Sequence, residues 1–142
     1  MACSVRKQLV WGAFMVSKSI LFVDDEEILA KLGRRILEKR GYEVTIFIYS
    51  VEALKRFCKT PYKFDLVITD YNMPQMNGGQ LAIKIKKNRK NLPVILATGC
   101  RDFTEDNLTE WGIDGLIVKP YQQEDIIDLV QNLITSNDAE TL

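Results

Sequence analysis

Short apolar runs alternate along the chain with longer stretches in which apolar residues recur every three or four positions. The runs predict five β-strands, at about 19–23, 43–47, 65–69, 93–97 and 116–118. Nearly continuous apolar runs are typical of strands that are buried on both faces of a sheet. Strands that alternate with amphipathic helices therefore predict an α/β fold, in which helices cover both faces of a parallel sheet.

The stretches between the strands predict five helices. The inward residues of the first helix are expected to be Ile28, Leu29, Leu32, Ile36 and Leu37. In the second helix they are expected to be Val51, Leu54, Phe57 and Cys58, and in the third Leu81, Ala82 and Ile85. In the fifth helix they are expected to be Ile126, Ile127, Val130, Leu133 and Ile134. Gly41 should end the first helix, and Ser50 should be the N-cap of the second. The fourth helix, about 103–111, has the weakest apolar face, so we expect it to be the most mobile element.

The length of 142 residues fits one domain, which we place at 18–136. Residues 137–142 are expected to form a polar, frayed tail. Residues 1–17 are interpreted first as a loosely ordered extension. An extra helical turn is the second interpretation, and a secretion signal, which the apolar segment 9–16 loosely imitates, is the third. Met15 could also be the true start.

Composition excludes several classes of protein. Lys+Arg and Asp+Glu both number 19, and this balance argues against an electrostatic nucleic-acid binder. The chain has no histidine, so it cannot use histidine for catalysis or as a zinc ligand. No apolar segment is long enough for membrane insertion. Cys3, Cys58 and Cys100 are interpreted as free thiols of a reducing, cytoplasmic protein, with a reactive Cys100 as the lesser alternative.

Polar residues follow the ends of four predicted strands, at Asp24, Asp25, Asp70, Thr98 and Lys119. In a parallel sheet these strand ends meet at one edge, where open α/β sheets bind ligands. Three carboxylates there require either raised pKa values or a cation, and oxygen ligands suit Mg²⁺ or Mn²⁺. Each residue alone has a simpler interpretation, as a helix cap, a turn former or a solvated charge.

The same residues suit phosphoryl transfer. Asp70 can act as a nucleophile that forms an acyl phosphate. The hydroxyl of Thr98 and the ammonium of Lys119 can then stabilise the transferred group. A cis peptide bond between Lys119 and Pro120 would aim the lysine into the site, although such bonds are a minority.

Two other features are given structural interpretations. Basic residues of the third helix, Lys84, Lys86, Lys87, Arg89 and Lys90, are interpreted as a solvated face rather than a dock for an acidic partner. Trp11 and Trp111 are interpreted as packing residues, neither of them clearly beside the site.

Four segments resemble the receiver domain of two-component response regulators, and they occur in the order that the family requires. They are Ile20-Leu21-Phe22-Val23-Asp24-Asp25-Glu26, Asp70-Tyr71-Asn72-Met73-Pro74-Gln75-Met76-Asn77-Gly78, Ala97-Thr98-Gly99 and Val118-Lys119-Pro120. The resemblance covers about 18–135. It implies a flavodoxin-like (βα)5 fold, a doubly wound parallel sheet with strand order 2-1-3-4-5.

The resemblance also implies residue roles. Asp70 would be the phosphoacceptor, and Thr98 and Lys119 would hold the phosphoryl oxygens. The Mg²⁺ site would be formed by Asp25, which binds directly, by Asp24, largely through water, by Asp70, and by the backbone carbonyl of Asn72.

The implied partner is a sensor histidine kinase or a phosphotransfer protein, whose phosphohistidine is the donor. Phosphorylation would shift a pre-existing equilibrium and alter binding of a downstream protein through the fourth helix, fifth strand and fifth helix. Such a protein catalyses only its own phosphorylation and dephosphorylation. We expect a stand-alone, cytoplasmic receiver that contacts neither nucleic acid nor the membrane interior.

The sequence departs from the family at two positions. Leu116 stands where the family usually has Tyr or Phe, an aromatic residue that turns inward when the threonine engages phosphate. Asn77 stands where the family often has Asp. Leu116 therefore leaves the inward-aromatic form of the switch an open question in this chain, while Thr98 could still move.

One alternative stays open, and two others are disfavoured by the residues at the site. The chain could be a receiver module cut from a longer regulator or hybrid kinase. An aspartyl phosphohydrolase would need a carboxylic acid where Asn72 stands. An FMN binder would need a phosphate loop after the first strand, where Asp24, Asp25 and Glu26 would repel phosphate.

Overall fold

A computed structural model describes residues 9–10, 13–14, 17–99 and 103–140 of the chain. Five strands form the main sheet: β1 (Ser19–Val23), β2 (Glu43–Phe47), β3 (Leu66–Asp70), β4 (Val94–Thr98) and β5 (Gly115–Val118). Five helices connect and follow them: α1 (Glu27–Glu38), α2 (Ser50–Lys59), α3 (Gly78–Asn88), α4 (Glu105–Trp111) and α5 (Gln123–Glu140). All five predicted strands are confirmed, each within one residue of its predicted bounds.

The sheet is parallel throughout, with strand order β2-β1-β3-β4-β5. This order confirms the doubly wound (βα)5 fold. The direction of strand addition reverses between β1 and β3, so the loops after these two strands leave the sheet on opposite faces. A crevice forms between them at the carboxyl edge, which is where such sheets place their ligands.

Apolar residues cover the sheet on both faces. On one face, Ile20, Phe22 and Ile68 pack with the buried residues of α1 and α5, including Ile126 and Val130. On the other face, alternate strand residues pack with α2 and α3. The three central strands, β1, β3 and β4, are buried along their whole length because they run between two helical layers, which explains their nearly continuous apolar runs in the sequence.

Helix α1 corrects one sequence prediction. Ile28 is 82% exposed and Leu32 is 45% exposed, so they do not belong to the inward face. The helix instead buries Ala30 and Gly33, together with Ile36 and Leu37. A Cβ added at Gly33 would lie 2.5 Å from the Phe22 ring, so the small residues of α1 let its backbone lie close to the sheet.

Helix α2 differs from its prediction in two details. Ser50 is its first residue rather than its N-cap, a position held by Tyr49 without a side-chain hydrogen bond. Cys58 is exposed, because the inward face is formed by Ser50, Ala53 and Phe57.

Helices α4 and α5 differ at their ends. Helix α4 begins at Glu105, after a capping box made by Thr104 and Asn107, and none of its residues is buried. Helix α5 continues to Glu140, past the predicted start of a frayed tail near 136. An ion pair of 3.2 Å between Lys18 and Asp138 ties this added turn to the start of β1.

Some sequence predictions fall on residues that the structure does not describe. These include Cys3, Met15, Cys100 and most of the extension at 1–17, within which Leu9–Val10 pairs antiparallel with Ala13–Phe14. No helix in the described part of the chain is long and apolar enough to cross a membrane.

Candidate functional site

The register of the sheet brings the predicted site residues together at its carboxyl edge. Val23 pairs with Thr69, so Asp24 and Asp70 leave β1 and β3 at the same level. Thr98 pairs with Val118, so Lys119 follows directly beside the end of β4. Residues that lie up to 95 positions apart in the sequence therefore converge by strand pairing alone.

Three carboxylates form a compact cluster at this edge. One oxygen from each of Asp24, Asp25 and Asp70 lies within 4.8 Å of the others. Asp24 and Asp70 are buried, whereas Asp25 is exposed. A cluster of oxygen donors with one face open to water fits a hard divalent cation such as Mg²⁺, which keeps several of its waters. A soft or tetrahedral metal would want sulfur or nitrogen ligands instead.

Lys119 holds the two buried carboxylates together. Its Nζ lies 2.8 Å from Asp24 Oδ2 and 3.3 Å from Asp70 Oδ1, with Glu26 Oε1 at 3.5 Å. The peptide bond between Lys119 and Pro120 is cis, the minority form of such bonds. The Lys119 backbone N–H donates to the Thr98 carbonyl over 2.7 Å, and this bond fixes the start of the loop to the neighbouring strand.

The environment of Asp70 disfavours its charge. Burial raises the pKa of the Asp70 carboxyl from 3.8 to about 6, and the negative charge of Asp24 adds to the rise. The positive charge of Lys119 and the N–H of Tyr71, which donates to Oδ1 over 2.8 Å, oppose the shift without cancelling it. A carboxyl with such a pKa in a crevice is a frequent mark of a functional site.

The pKa values of two neighbouring side chains, Lys119 and Tyr121, are also raised. Burial lowers the pKa of Lys119, but the hydrogen bond and charge of Asp24, followed by Asp70, outweigh it and the net pKa is raised. Burial, followed by the charge of Asp24, raises the pKa of the Tyr121 hydroxyl. Lys119 is thus a firmly charged ammonium and Tyr121 a neutral phenol.

A cavity of about 540 Å³ opens over the cluster. Asp25, Asp70, Asn72 and Lys119 from the predicted set line it. Thr98 is buried at the end of β4 and does not line the cavity, whereas the next residue, Gly99, does. Asn72 is exposed at the mouth, two residues after Asp70, where a phosphohydrolase would need a carboxylic acid to act as proton donor.

The opposite wall of the cavity was missed by the sequence analysis. It is formed by Leu29, Leu32, Pro120 and Tyr121. The two leucines were assigned to the core, because helical spacing does not say which direction an apolar stripe faces. Exposed Ile28 lies beside them, so an apolar surface borders the acidic cluster.

The loop after β3 is fixed by close backbone contacts. Gly78 N–H donates to the Tyr71 carbonyl over 2.9 Å, and a Cβ at Gly78 would collide with the Asp70 carbonyl oxygen. Asn77 caps α3 through a capping box with Gln80. The residue that replaces the family's usual Asp therefore anchors the loop that carries Asn72.

Trp111 lies nearer the site than expected. Its ring stacks on Tyr71, the residue after Asp70, with 5.4 Å between ring centroids. Trp111 is a packing residue as interpreted from the sequence, but the statement that it is not beside the site is wrong. Folding brings the end of α4 against the end of β3, which sequence spacing does not reveal.

Comparisons with known proteins agree with this fold. A profile of the response regulator receiver domain family matches residues 20–131. A CheY-like receiver domain protein from Methanospirillum hungatei has 29% identity and a TM-score of 0.81, over 88% of this chain and 99% of that one. The response regulator TrrA from Thermotoga maritima, solved with Mg²⁺ and BeF, has 34% identity and a TM-score of 0.74, over 82% and 98%.

A curated relative is longer than this chain. The probable transcriptional regulator ycf29 of Porphyra purpurea is 32% identical over 123 residues, which cover 84% of this chain and 57% of the relative. The chain thus spans about half the length of the first curated relatives that it matches. The profile match covers most of the chain and the fold and strand order agree with it, so the chain belongs to the response regulator receiver domain family of two-component signalling.

Proposed function

We propose that Asp70 is the phosphoacceptor of this receiver domain and takes a phosphoryl group from a phosphohistidine in a Mg²⁺-dependent reaction. Receiver domains interact with histidine kinases or phosphotransfer proteins and generally use Mg²⁺. The observation that carries the assignment is the position of Asp70, which ends the central strand inside the cavity, within reach of Asp25, Asn72 and Lys119.

The contacts of Asp70 favour one oxygen as the nucleophile. Within the described part of the chain, Tyr71 N–H and Lys119 Nζ both contact Oδ1. Oδ2 is therefore the oxygen that attacks phosphorus, while the P–N bond to the donor imidazole breaks and its electron pair returns to that nitrogen. The product is an aspartyl phosphate, and Lys119 and the Thr98 hydroxyl hold its oxygens.

The acidic cluster would hold the cation. Asp25 and Asp70 would ligate Mg²⁺ directly, Asp24 largely through water, and Asn72 through its backbone carbonyl. When bound, Mg²⁺ (or Mn²⁺) neutralises the charge that accumulates between carboxylates and phosphoryl oxygens. Lys119 supplies the second positive charge, and its ion pairs with Asp24 and Asp70 set its position before any substrate binds.

The donor protein would dock over the apolar surface beside the cavity. Ile28 and Leu32 are exposed at the start of α1, and Pro120 and Tyr121 continue this surface across the loop after β5. Exposed apolar side chains next to a reactive carboxyl suit a partner helix that carries its histidine among apolar residues. The donor is made with ATP by a kinase, which supports a cytoplasmic location.

The output would pass through α4, β5 and α5 to a downstream protein. Helix α4 buries no residue, so its position can change at little cost in packing. We propose no catalytic activity beyond phosphorylation and dephosphorylation of the chain itself, and no direct contact with nucleic acid.

Intact-mass spectrometry after incubation with acetyl phosphate tests the assignment. The full chain should gain one phosphoryl group in Mg²⁺ and none in EDTA, and Asp70→Asn should abolish the gain. The matched control is Asp65→Asn, because Asp65 enters the same strand at its other end and its side chain accepts a hydrogen bond from Ser19 N–H. A gain that survives in Asp70→Asn, or that needs no Mg²⁺, would overturn the proposal.

A further inference from the structure

Three aromatic rings meet between Asp70 and α4. The centroid of Tyr71 lies 4.7 Å from that of Phe103 and 5.4 Å from that of Trp111, and the rings of Phe103 and Trp111 lie 5.5 Å apart. Two of the contacts are edge-to-face, at 60° and 75°, and one is stacked at 28°. These are favourable geometries for aromatic pairs. We call Tyr71, Phe103 and Trp111 the aromatic triad.

The triad connects both ends of α4 to the residue that follows the acceptor. Phe103 directly precedes Thr104, the N-cap of α4, and Trp111 is the last residue of the helix. Helix α4 has seven residues and buries none of them, so it lacks the apolar stripe that holds the other helices. A helix this short depends on tertiary contacts for its position and its stability.

Trp111 is held from a second side by α3. A Cβ added at Gly79 would lie 2.7 Å from the indole Cδ2, so the ring rests directly on the α3 backbone. The indole is therefore clamped between the start of α3 and the ring of Tyr71. Any movement of Tyr71 must be transmitted to Trp111 or open a gap beside it.

Tyr71 is in turn bonded to the acceptor. Its N–H donates to Asp70 Oδ1 over 2.8 Å, and its carbonyl accepts from Gly78 N–H over 2.9 Å. Phosphorylation of Asp70 adds charge and new acceptor oxygens at the side chain that this N–H contacts. Tyr71 thus links the acceptor, through a peptide bond and a hydrogen bond, to rings at both ends of α4.

The link through Tyr71 matters because residue 116 is a leucine and not the aromatic residue that is usual in the family. Leu116 is an aliphatic, partly buried residue on β5, paired with Leu96, where the family usually carries the aromatic switch residue. A leucine cannot provide the ring whose inward turn reports phosphorylation in other receivers. This chain instead has three rings in mutual contact between the residue after Asp70 and the two ends of α4.

We propose that the aromatic triad couples the phosphorylation state of Asp70 to the position of α4 in this protein, in place of an aromatic switch at residue 116. The inference rests on the proposed function, because Asp70 must be phosphorylated for the coupling to act. Tyr71 is a positioning residue in this account and takes no part in the chemical step.

Hydrogen exchange of α4 amides tests the coupling, with phosphoryl occupancy measured by intact mass in the same samples. With acetyl phosphate and Mg²⁺, the exchange rate of residues 105–111 in the wild-type chain should change about threefold or more, the equivalent of losing or gaining one aromatic pair. Tyr71→Leu and Trp111→Leu should reach the same occupancy, and their α4 exchange rates should change less than about 1.5-fold on phosphorylation.

The matched control is Tyr49→Leu, the same chemical change at a half-exposed tyrosine before α2. It should keep the full α4 response. Retention of a wild-type response in both triad variants would overturn the coupling, as would full occupancy of the wild type with no change in α4. Failure of the wild type to gain mass would instead refute the proposed acceptor, so the two failures are distinguishable.

Fluorescence gives an independent measurement. The chain has two tryptophans, so Trp11→Phe leaves Trp111 as the sole emitter. Its emission should respond to acetyl phosphate with the same time course as the mass gain, and Tyr71→Leu should abolish the response. An unchanged emission at full occupancy would count against the triad.

Discussion

Lys119 Nζ donates a hydrogen bond of 2.8 Å to Asp24 Oδ2, a carboxylate that is almost completely buried. The two residues follow strands β5 and β1, which β3 and β4 separate in the sheet. The contact therefore spans the carboxyl ends of the two strands between them. Through this bridge the lysine also reaches Asp70 at 3.3 Å. One ammonium therefore compensates two buried carboxylates.

Removing this ammonium should destabilise the protein. Lys119→Met leaves Asp24 and Asp70 without their cation, and we expect the free energy of unfolding to fall by about 3 kcal/mol in Mg²⁺-free buffer. Urea unfolding measures this change. Added Mg²⁺ should restore part of the loss, because it supplies positive charge to the same carboxylates.

The control for this variant is Lys86→Met. Lys86 forms an equally short ion pair, 2.7 Å to Asp114, but that carboxylate is 38% exposed. Its loss should cost less than about 1 kcal/mol, since water screens the pair. Equal losses in the two variants would show that burial of Asp24 does not set the effect.

The raised pKa of Asp70 predicts how stability depends on pH. Because the folded-state pKa is about 6 rather than 3.8, the stabilising contribution of the protonated carboxyl is complete below pH 3.8 and is lost as the pH rises through 6. Asp70→Asn removes this titration. In Mg²⁺-free buffer the variant should therefore be more stable than wild type by about 2 kcal/mol at pH 7.5, and the gap should close towards pH 4.

Urea unfolding at several pH values measures that gap. Asp65→Asn serves as the control, since it removes another carboxylate flanking the same strand, one whose oxygen accepts from Ser19 N–H over 2.8 Å. It should show no gain at pH 7.5. A gap in Asp70→Asn that stays constant from pH 4 to 7.5 would mean that the Asp70 charge is not its cause.

Mg²⁺ should bind to the acidic cluster, and its affinity should depend on Asp25, the exposed carboxylate of the cluster. Asp25→Ala removes one proposed ligand, an exposed side chain outside the core, so we expect Mg²⁺ affinity to fall about tenfold or more. Isothermal titration calorimetry measures the affinity. Glu27→Ala, which removes an exposed carboxylate paired with Lys31, should leave it unchanged. A comparable loss in both variants would point to general charge attraction rather than ligation.

The exposed apolar residues of α1 should contribute to binding of the donor protein and not to the chemical step of phosphoryl transfer. Ile28→Ser and Leu32→Ser alter exposed side chains, so stability should stay within about 0.5 kcal/mol of wild type. The rate of phosphoryl transfer from a phosphohistidine protein should fall about tenfold. The rate with acetyl phosphate should be unchanged, because this small donor needs no docking surface.

Tyr62→Ser is the matched control for those variants, since Tyr62 is 80% exposed and lies in the loop before β3, away from the carboxyl edge. It should alter neither rate. Equal slowing with acetyl phosphate and with the protein donor would place the defect in the site itself.

Sequence pattern predicted the strands well, because a strand buried on both faces tolerates few polar residues. It was weaker on the helices, where Ile28 and Leu32 were taken as core. Helical spacing defines an apolar stripe, but which residues of α1 are buried depends on the face that packs against the sheet, and that face carries the small residues Ala30 and Gly33. Likewise, sequence gave no sign that Trp111 lies on Tyr71, since that contact depends on how α4 packs against α3.

The sequence by itself determined the parallel α/β fold and the residues that end its strands, because apolar runs and their period are local properties. It also indicated a chemistry to propose, since three carboxylates, a threonine and a lysine at one edge suit phosphoryl transfer. Only the tertiary structure decided the distances, the burial that raises the pKa of Asp70, and the contacts of the aromatic triad. These depend on contacts between residues far apart in the sequence, which local spacing does not encode.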